Sequence, residues 1–282
     1  MTTSPSPDAG RQQTVTQVRD MYAQVAEGYE QLRFVRLTAA RLVERAALQP
    51  GEWVLDAGTG TGHAALGAAA AVGPDGHVTG VDISAAMLAH ARRKAQEAGL
   101  TNVDFREGDA QTPALPDASV HVVVASSVIF FLPDPLEALR NWRRVLTPDG
   151  RVLFSTFGPD NNVPLGGIFS RHLATYGLQN PPQVSSYLSD AGRCQALLDA
   201  AGFTDVTVHT EQLGYSYRNV HEYWEEIRHQ HVRVVLATLT PDQLTRLHRD
   251  LVTEVAGLAT DAGIWRSLQV NFCRGVNRWR AG

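Results

Sequence analysis

The segment Val54-Leu55-Asp56-Ala57-Gly58-Thr59-Gly60-Thr61-Gly62 holds the residue types and spacing best suited to chemistry. A short apolar run enters three alternating glycines, and a helical pattern follows. Glycine lets the backbone turn sharply and lets a ligand approach the main chain. A turn at the carboxyl end of a first strand lies where open α/β sheets bind ligands. A dinucleotide fingerprint, Gly-x-Gly-x-x-Gly, fails on register. Gly58 and Gly60 fit it, but the third place falls on His63, and the third glycine comes one residue early, at Gly62. Asp56, just before the glycines, suits a ligand carrying an ammonium group better than a pyrophosphate.

Two further acids extend the pattern. In Gly80-Val81-Asp82-Ile83-Ser84, Asp82 closes a second strand 20 residues after Gly62. An acid at that place and distance can take both hydroxyls of a ribose. In Glu107-Gly108-Asp109-Ala110, Asp109 ends a third strand, where it can accept the exocyclic amine of an adenine. A turn explains any one of these acids; it does not explain acids at the carboxyl ends of three consecutive strands. Candidate bases are His63, His172, His221, His229 and His231, of which His63 caps the glycine turn. His229 and His231 share a helix with Glu225 and Glu226, so a solvated polar face explains them equally well. His221, Glu225 and His229 follow at four-residue steps that a metal could use, but helices often carry such pairs, and no metal is expected. Cys194 and Cys273 make neither a disulfide framework nor a four-ligand zinc site.

The elements that must position these residues alternate. Residues 14–48 read as helical, with Val18, Tyr22, Val25 and Tyr29 at three- and four-residue steps, and Gln49-Pro50-Gly51 stops them. Strands are expected at 53–57, 77–81, 103–107, 120–125 and 151–157. Helices are expected between them at 64–72, 84–98 and 135–146, the last ending in a turn at Thr147-Pro148-Asp149-Gly150. Strands alternating with helices mean a parallel sheet covered on both faces. Residues 158–183 read as a long Gly-, Pro- and Asn-rich loop, of the kind that often serves as a lid. A helix at 191–201, a strand at 206–213, two added helices at 221–239 and 241–258, and a strand at 268–273 complete the chain. The two late strands can close the sheet as an antiparallel edge pair.

Composition narrows the classes. A chain of 282 residues, 44% hydrophobic and 19% charged, can bury one sizeable core. The net charge of −4 is opposite to that of a general nucleic-acid binder. Lys94 is the single lysine. No apolar run approaches the ~20 residues of a membrane span. Met1 to Gly10 has neither a basic start nor an apolar stretch, so no secretory signal is expected, and the expected location is the cytoplasm. The expected organisation is a disordered tail over 1–13, a helical cap over 14–48, and a domain over 49–282 with lid segments near 158–190 and 218–262.

The glycine turn, the segment Gly80-Val81-Asp82-Ile83-Ser84-Ala85-Ala86-Met87-Leu88, and Gly108-Asp109-Ala110 together resemble a class I S-adenosylmethionine-dependent methyltransferase. Phe131-Leu132-Pro133-Asp134-Pro135 and Leu146-Thr147-Pro148-Asp149-Gly150-Arg151 fit as well. The resemblance covers residues 14–158 closely and Leu197-Leu198-Asp199-Ala200-Ala201-Gly202-Phe203 more weakly. It is nearest to the small-molecule group that includes the ubiquinone and menaquinone biosynthesis enzymes. It implies an α/β fold: a Rossmann-like seven-stranded, mostly parallel sheet with an antiparallel last strand, helices on both faces and an added helical lid. The cofactor it implies is S-adenosylmethionine. Gly58, Gly60, Thr61 and Gly62 would then surround the methionine moiety, with Asp56 near its amino group. Asp82 would hold the ribose hydroxyls, Ile83 and Met87 would flank the adenine, and Gly108, Asp109 and Ala110 would meet its edge. Ser126 and Ser127 would sit beneath the sulfonium. Tyr22 and Tyr29 resemble tyrosines that close over cofactor and substrate in this group, although Tyr29 reads equally as a core aromatic on a helix face.

Two departures stand out. Val120-His121 replaces the common Phe-Asp entering the fourth strand, and Phe131 replaces a common His. With Ile129 and Phe130, Phe131 makes the acceptor side greasy and removes a base from that place. Base methylation of nucleic acid calls for an Asn-Pro-Pro-Tyr-like motif after the fourth strand. Ser126-Ser127-Val128-Ile129 stands there instead, and Asn180-Pro181-Pro182-Gln183 reads as a loop. The expected activity is methyl transfer to a small or medium apolar metabolite at oxygen, carbon or nitrogen, with neither nucleic acid nor membrane as partner. The alternatives are an enzyme that binds S-adenosylmethionine without methylating, such as a cyclase, and a non-enzymatic binding module.

Overall fold

The computed structural model describes residues 7–179, 186–230 and 232–278. Helices α1 (Pro7–Tyr29) and α2 (Arg33–Ala46) precede the first strand. Then β1 (Trp53–Ala57), α3 (His63–Val72), β2 (His77–Asp82), α4 (Ala85–Glu97), β3 (Val103–Glu107), β4 (Val120–Ala125), α5 (Pro135–Val145) and β5 (Leu146–Phe157) alternate as expected. Helix α6 (Leu165–Ala174), helix α7 (Ala191–Ala200), β6 (Thr204–Gln212) and β7 (Tyr215–Tyr217) follow. Helices α8 (Val220–His229), α9 (Arg233–Leu236) and α10 (Pro241–Ala256) lead to β8 (Ile264–Arg266) and β9 (Gln269–Val276).

The main sheet has seven strands in the order β3-β2-β1-β4-β5-β9-β6. Strands β1 to β5 pair in parallel, and β9 runs antiparallel between β5 and β6. The strand order reverses between β1 and β4, so a crevice opens at their carboxyl ends, where doubly wound sheets take ligands. Alternate residues of the central strands feed two cores. Val54, Val122 and Val124 pack with the alanine-rich α3 on one face. Leu55, Val123 and Phe154 pack with Leu139 and Trp142 of α5 on the other. Both faces of these strands are therefore buried, which explains their nearly unbroken apolar runs.

Several expectations are corrected. Helix α1 starts at Pro7, so residues 7–13 are helical and not a tail. Proline presets φ at the first helical position, where its missing N–H costs nothing. The remainder of the expected tail, 1–6, lies outside the described residues. The helical stretch 14–48 is two helices, broken where Leu32 turns extended (φ −75°, ψ 100°). The expected turn at 147–150 lies inside β5. Asp149 there adopts φ 61°, and the pairing jumps from Val120↔Leu146 to Val122↔Arg151. Asn277 holds this excursion: Asp149 N–H donates to its carbonyl (2.9 Å), and its own N–H donates to the Gly150 carbonyl (2.7 Å).

The long loop expected at 158–183 contains α6. Its apolar Leu165, Ile168, Phe169 and Leu173 are all buried, at helical spacing that Gly166 and Gly167 disguise. Asn180-Pro181-Pro182-Gln183 lies outside the described residues, as does His231. The first added helix is broken into α8 and α9. The paired strands β7 and β8 form a separate two-stranded sheet, unforeseen because three-residue strands leave no readable alternation. Helix α6 packs on α10, α10 on α8, and α8 and α9 both touch α1. Among the described residues no helix is long and apolar enough to cross a membrane.

Candidate cofactor and acceptor site

A cavity opens at the carboxyl ends of β1, β2, β3 and β4. Its sheet side is lined by Gly58, Gly60, Asp82, Ile83, Asp109, Ala110, Ser126 and Ser127. Met87 from α4 closes one flank, and Val18, Tyr22 and Tyr29 of α1 lie over it. Val128, Phe131, Leu132 and Pro133, from the turn after β4, complete the wall.

The glycine turn is built for close approach. Gly58 has φ 73° and donates its N–H to the Val81 carbonyl (2.8 Å), which knits the end of β1 to β2. A Cβ on Gly58 would fall 2.4 Å from Cγ2 of Val128. At Gly60 the nearest atom to a Cβ would be Cε1 of Tyr29, 4.0 Å away, so the missing side chain leaves open space beneath the tyrosine. That cradle, floored by backbone and walled by acids, fits a cofactor with an ammonium group and a ribose.

Asp82 organises this floor. Its Oδ2 accepts the Gly60 N–H (2.8 Å) and its Oδ1 accepts the Ser84 N–H (2.9 Å). Burial raises its pKa, and the backbone N–H groups of Ser84 and Gly60 oppose the rise. Asp109 accepts the Gln111 N–H at 2.8 Å. The Trp142 indole donates to the Ala110 carbonyl (2.7 Å), so α5 fixes the turn after β3. Ser127 adopts φ 55°; its N–H donates to Oγ of the fully buried Ser155 (2.9 Å), and the two hydroxyl oxygens lie 3.3 Å apart.

Four of the expected site residues do not line the cavity. Asp56 and Thr61 are each 1% exposed and lie behind the turn. Asp56 Oδ2 accepts from the Thr59 hydroxyl (2.7 Å). Burial pushes its carboxyl up to about 7, with Asp82 adding and Thr59 opposing. Gly62 (φ 85°) sits where a Cβ would meet Cβ of Ala91 at 3.0 Å, so it serves the close approach of the turn to α4. Gly108 donates its N–H to the Asp82 carbonyl (3.0 Å) and supports the floor from outside. Asp56 was expected beside an amino group; its place is beneath the backbone that would meet that group.

The far end of the cavity is aromatic. The Tyr22 ring stands edge-on to Tyr29 (5.9 Å) and to Phe131 (5.5 Å). Phe131 touches Phe130, which touches Phe157, which touches Phe34 of α2. Burial raises the pKa of both tyrosines, so they remain phenols at neutral pH. Tyr29 lines the cavity and also packs against the small cluster of Val25, Ala26 and Met87. No sequence signal singled out Val18, Val128 or Ser155, although Val18 lies four residues before Tyr22 on the same helical face.

The histidines stand elsewhere. His63 faces Glu30 (3.2 Å) and does not line the cavity. His172 meets Glu254 of α10 at 2.8 Å. His221 is exposed, and His229 presses on Gly28 of α1. Among the described residues no group of three or more His, Cys, Asp or Glu could hold a metal ion.

A methyltransferase-domain family model matches residues 48–195. Nocamycin O-methyltransferase from Saccharothrix syringae is 30% identical over 251 residues, covering 80% of this chain and 87% of that protein. The chain belongs to the S-adenosylmethionine-dependent methyltransferases. Aklanonic acid methyltransferase DauC from Streptomyces sp. (strain C5) is 37% identical over 142 residues, covering 50% of this chain and 64% of that protein. The YcgJ protein of Bacillus subtilis shares this fold with a TM-score of 0.56 at 21% identity, covering 86% of this chain and 99% of that one.

Proposed function

We propose that this methyltransferase moves a methyl group from S-adenosylmethionine to a small or medium apolar metabolite. The observation that carries the reading is the two-sided cavity, with backbone and acids on the sheet side and Tyr22, Phe131 and Val128 at the other. Gly58 and Gly60 would receive the methionine moiety, Asp82 the ribose, and Ile83, Met87, Asp109 and Ala110 the adenine. Ser126 and Ser127 would lie beneath the sulfonium. Asp56, Thr61, Gly62 and Gly108 would hold that lining in shape from behind. When bound, the cofactor supplies an electrophilic methyl on a cationic sulfur. The protein's part is alignment of donor and acceptor, which is worth several kcal/mol in a displacement of this kind.

Among the described residues no base lines the acceptor end, and Tyr22 and Tyr29 hold their protons. The reading therefore assigns catalysis to positioning and exclusion of water, with an acceptor that is already nucleophilic. Oxygen is the acceptor atom that the nocamycin relative favours, with carbon and nitrogen as the other options. A net charge of −4 supports a small molecule over nucleic acid. The lid proposed for this chain comprises α6, α8, α9 and α10.

Calorimetry with S-adenosylmethionine and S-adenosylhomocysteine tests the cofactor site. Micromolar binding is expected, followed by a screen of phenolic and enolic acceptors that reads S-adenosylhomocysteine release. A folded protein that binds neither ligand would remove this reading. Turnover that leaves the cofactor intact would replace it with a non-methylating enzyme.

A further inference from the structure

We propose that Glu30, gripped by Lys94 with His63 beside it, is a clamp that seats Tyr29 over the cofactor and sets how long the cofactor stays bound. The proposal rests on the cofactor reading above. Lys94 Nζ donates to both carboxylate oxygens of Glu30, at 2.8 and 3.0 Å. His63 Nε2 lies 3.2 Å from Oε2 of the same carboxylate. These side chains are only 17%, 27% and 18% exposed for Lys94, Glu30 and His63, so the group is not an ordinary surface pair.

The three residues come from three different places in the chain, and α1 and α4 each carry part of the cavity. Glu30 directly follows Tyr29 at the end of α1. His63 is the first residue of α3, one place after the glycine turn. Lys94 lies on α4, two turns beyond Met87. Lys94 stands in the last turn of α4, where the negative end of that helix dipole favours an ammonium.

Elsewhere α1 touches α8 and α9, with His229 against Gly28. Val25 and Ala26 of α1 pack with Met87 in a small cluster separate from the two main cores. Tyr29 Cε1 stands over Gly60, 4.0 Å from where a Cβ there would be, and the clamp is one residue from that tyrosine. On this proposal a ligand beneath α1 leaves by lifting it, which breaks the clamp.

The test is stopped-flow dissociation of S-adenosylhomocysteine from the full chain, with thermal melts run on each variant. Lys94→Met and Glu30→Gln should each raise the dissociation rate constant roughly tenfold, because each leaves a half-buried charge without its partner. Lys94→Arg should return most of the residence time. The double variant should dissociate no faster than the worse single variant, as expected for one shared interaction. If Glu30→Gln melts too low to assay, Lys94→Met with its Arg counterpart decides alone. Dissociation within about twofold of wild type in Lys94→Met, or Lys94→Arg as fast as Lys94→Met, overturns the clamp. Wild-type protein that does not bind S-adenosylhomocysteine at all would overturn the cofactor reading itself.

Discussion

At the sheet end of the cavity the lining is backbone and short acids, set by strand register. Val81 pairs with Ala57, and Asp82 with Glu107, so each turn leaves its strand at the same level. At the opposite end the lining is long side chains from α1 and from the turn after β4, set by ring packing. The first end has little freedom: moving Asp82 means moving β2 and the Gly60 backbone together. The second end can change shape by rotating Tyr22 or Phe131. The difference teaches where specificity can vary. The proposed function accordingly puts the cofactor, common to many enzymes, at the end fixed by the sheet and the particular acceptor at the end fixed by side chains.

The largest effect should come from the rigid end. Gly58→Ala places a Cβ 2.4 Å from Val128 Cγ2 on a residue at φ 73°. We expect S-adenosylhomocysteine binding to disappear and stability to drop by about 3 kcal/mol. Calorimetry and a denaturant melt would check both; retained binding would mean that the turn yields more than its contacts suggest. Next comes Asp82→Ala, which leaves the Gly60 and Ser84 N–H groups without acceptors. Affinity for S-adenosylhomocysteine should fall on the order of 100-fold, about 3 kcal/mol.

Phe131→Ala sharpens the contrast from the other side. It removes a ring from the acceptor end and leaves the floor intact, so S-adenosylhomocysteine affinity should stay within about threefold of wild type. The range of acceptors methylated should widen. An affinity loss as large as that of Asp82→Ala would show that the two ends are not separate.

Legibility in the sequence follows the same division. The five parallel strands and the glycine turn were readable because parallel strands give unbroken apolar runs and glycines give fixed backbone. Ten of the fourteen expected site residues line the cavity, and those that do not (Asp56, Thr61, Gly62 and Gly108) lie one layer behind it. Periodicity places a residue on an element; it does not resolve which face of a tight turn meets the cavity. Ser155 and Glu30 were invisible because each matters through a residue distant in sequence: Ser155 is 28 residues from Ser127, and Glu30 is 64 from Lys94. The ribbon of β7 and β8 was hidden because Tyr215 and Arg266 carry no signal of their pairing until the helices between them are folded.

The most gradual effect concerns Asp56, and its sign follows from burial. Its carboxyl is pushed from an ordinary 3.8 up to about 7 in the folded chain. Between those values the folded state holds a proton that the unfolded state has lost. Stability from this group is therefore complete below about pH 4 and is lost as pH rises toward 7, with a slope of at most about 1.4 kcal/mol per pH unit. Asp56→Asn keeps the shape and removes the titration. The difference in stability between wild type and Asp56→Asn, measured by denaturant melts from pH 4.5 to 8 (a span of roughly the shifted interval), should move steadily in favour of the asparagine variant and level off above neutrality. Bound S-adenosylmethionine, if its ammonium lies over the turn, should flatten that drift by favouring the charged carboxylate. A pH-independent difference in the free protein would mean that Asp56 is ionised throughout, and that the rigid end holds a buried negative charge before any ligand arrives.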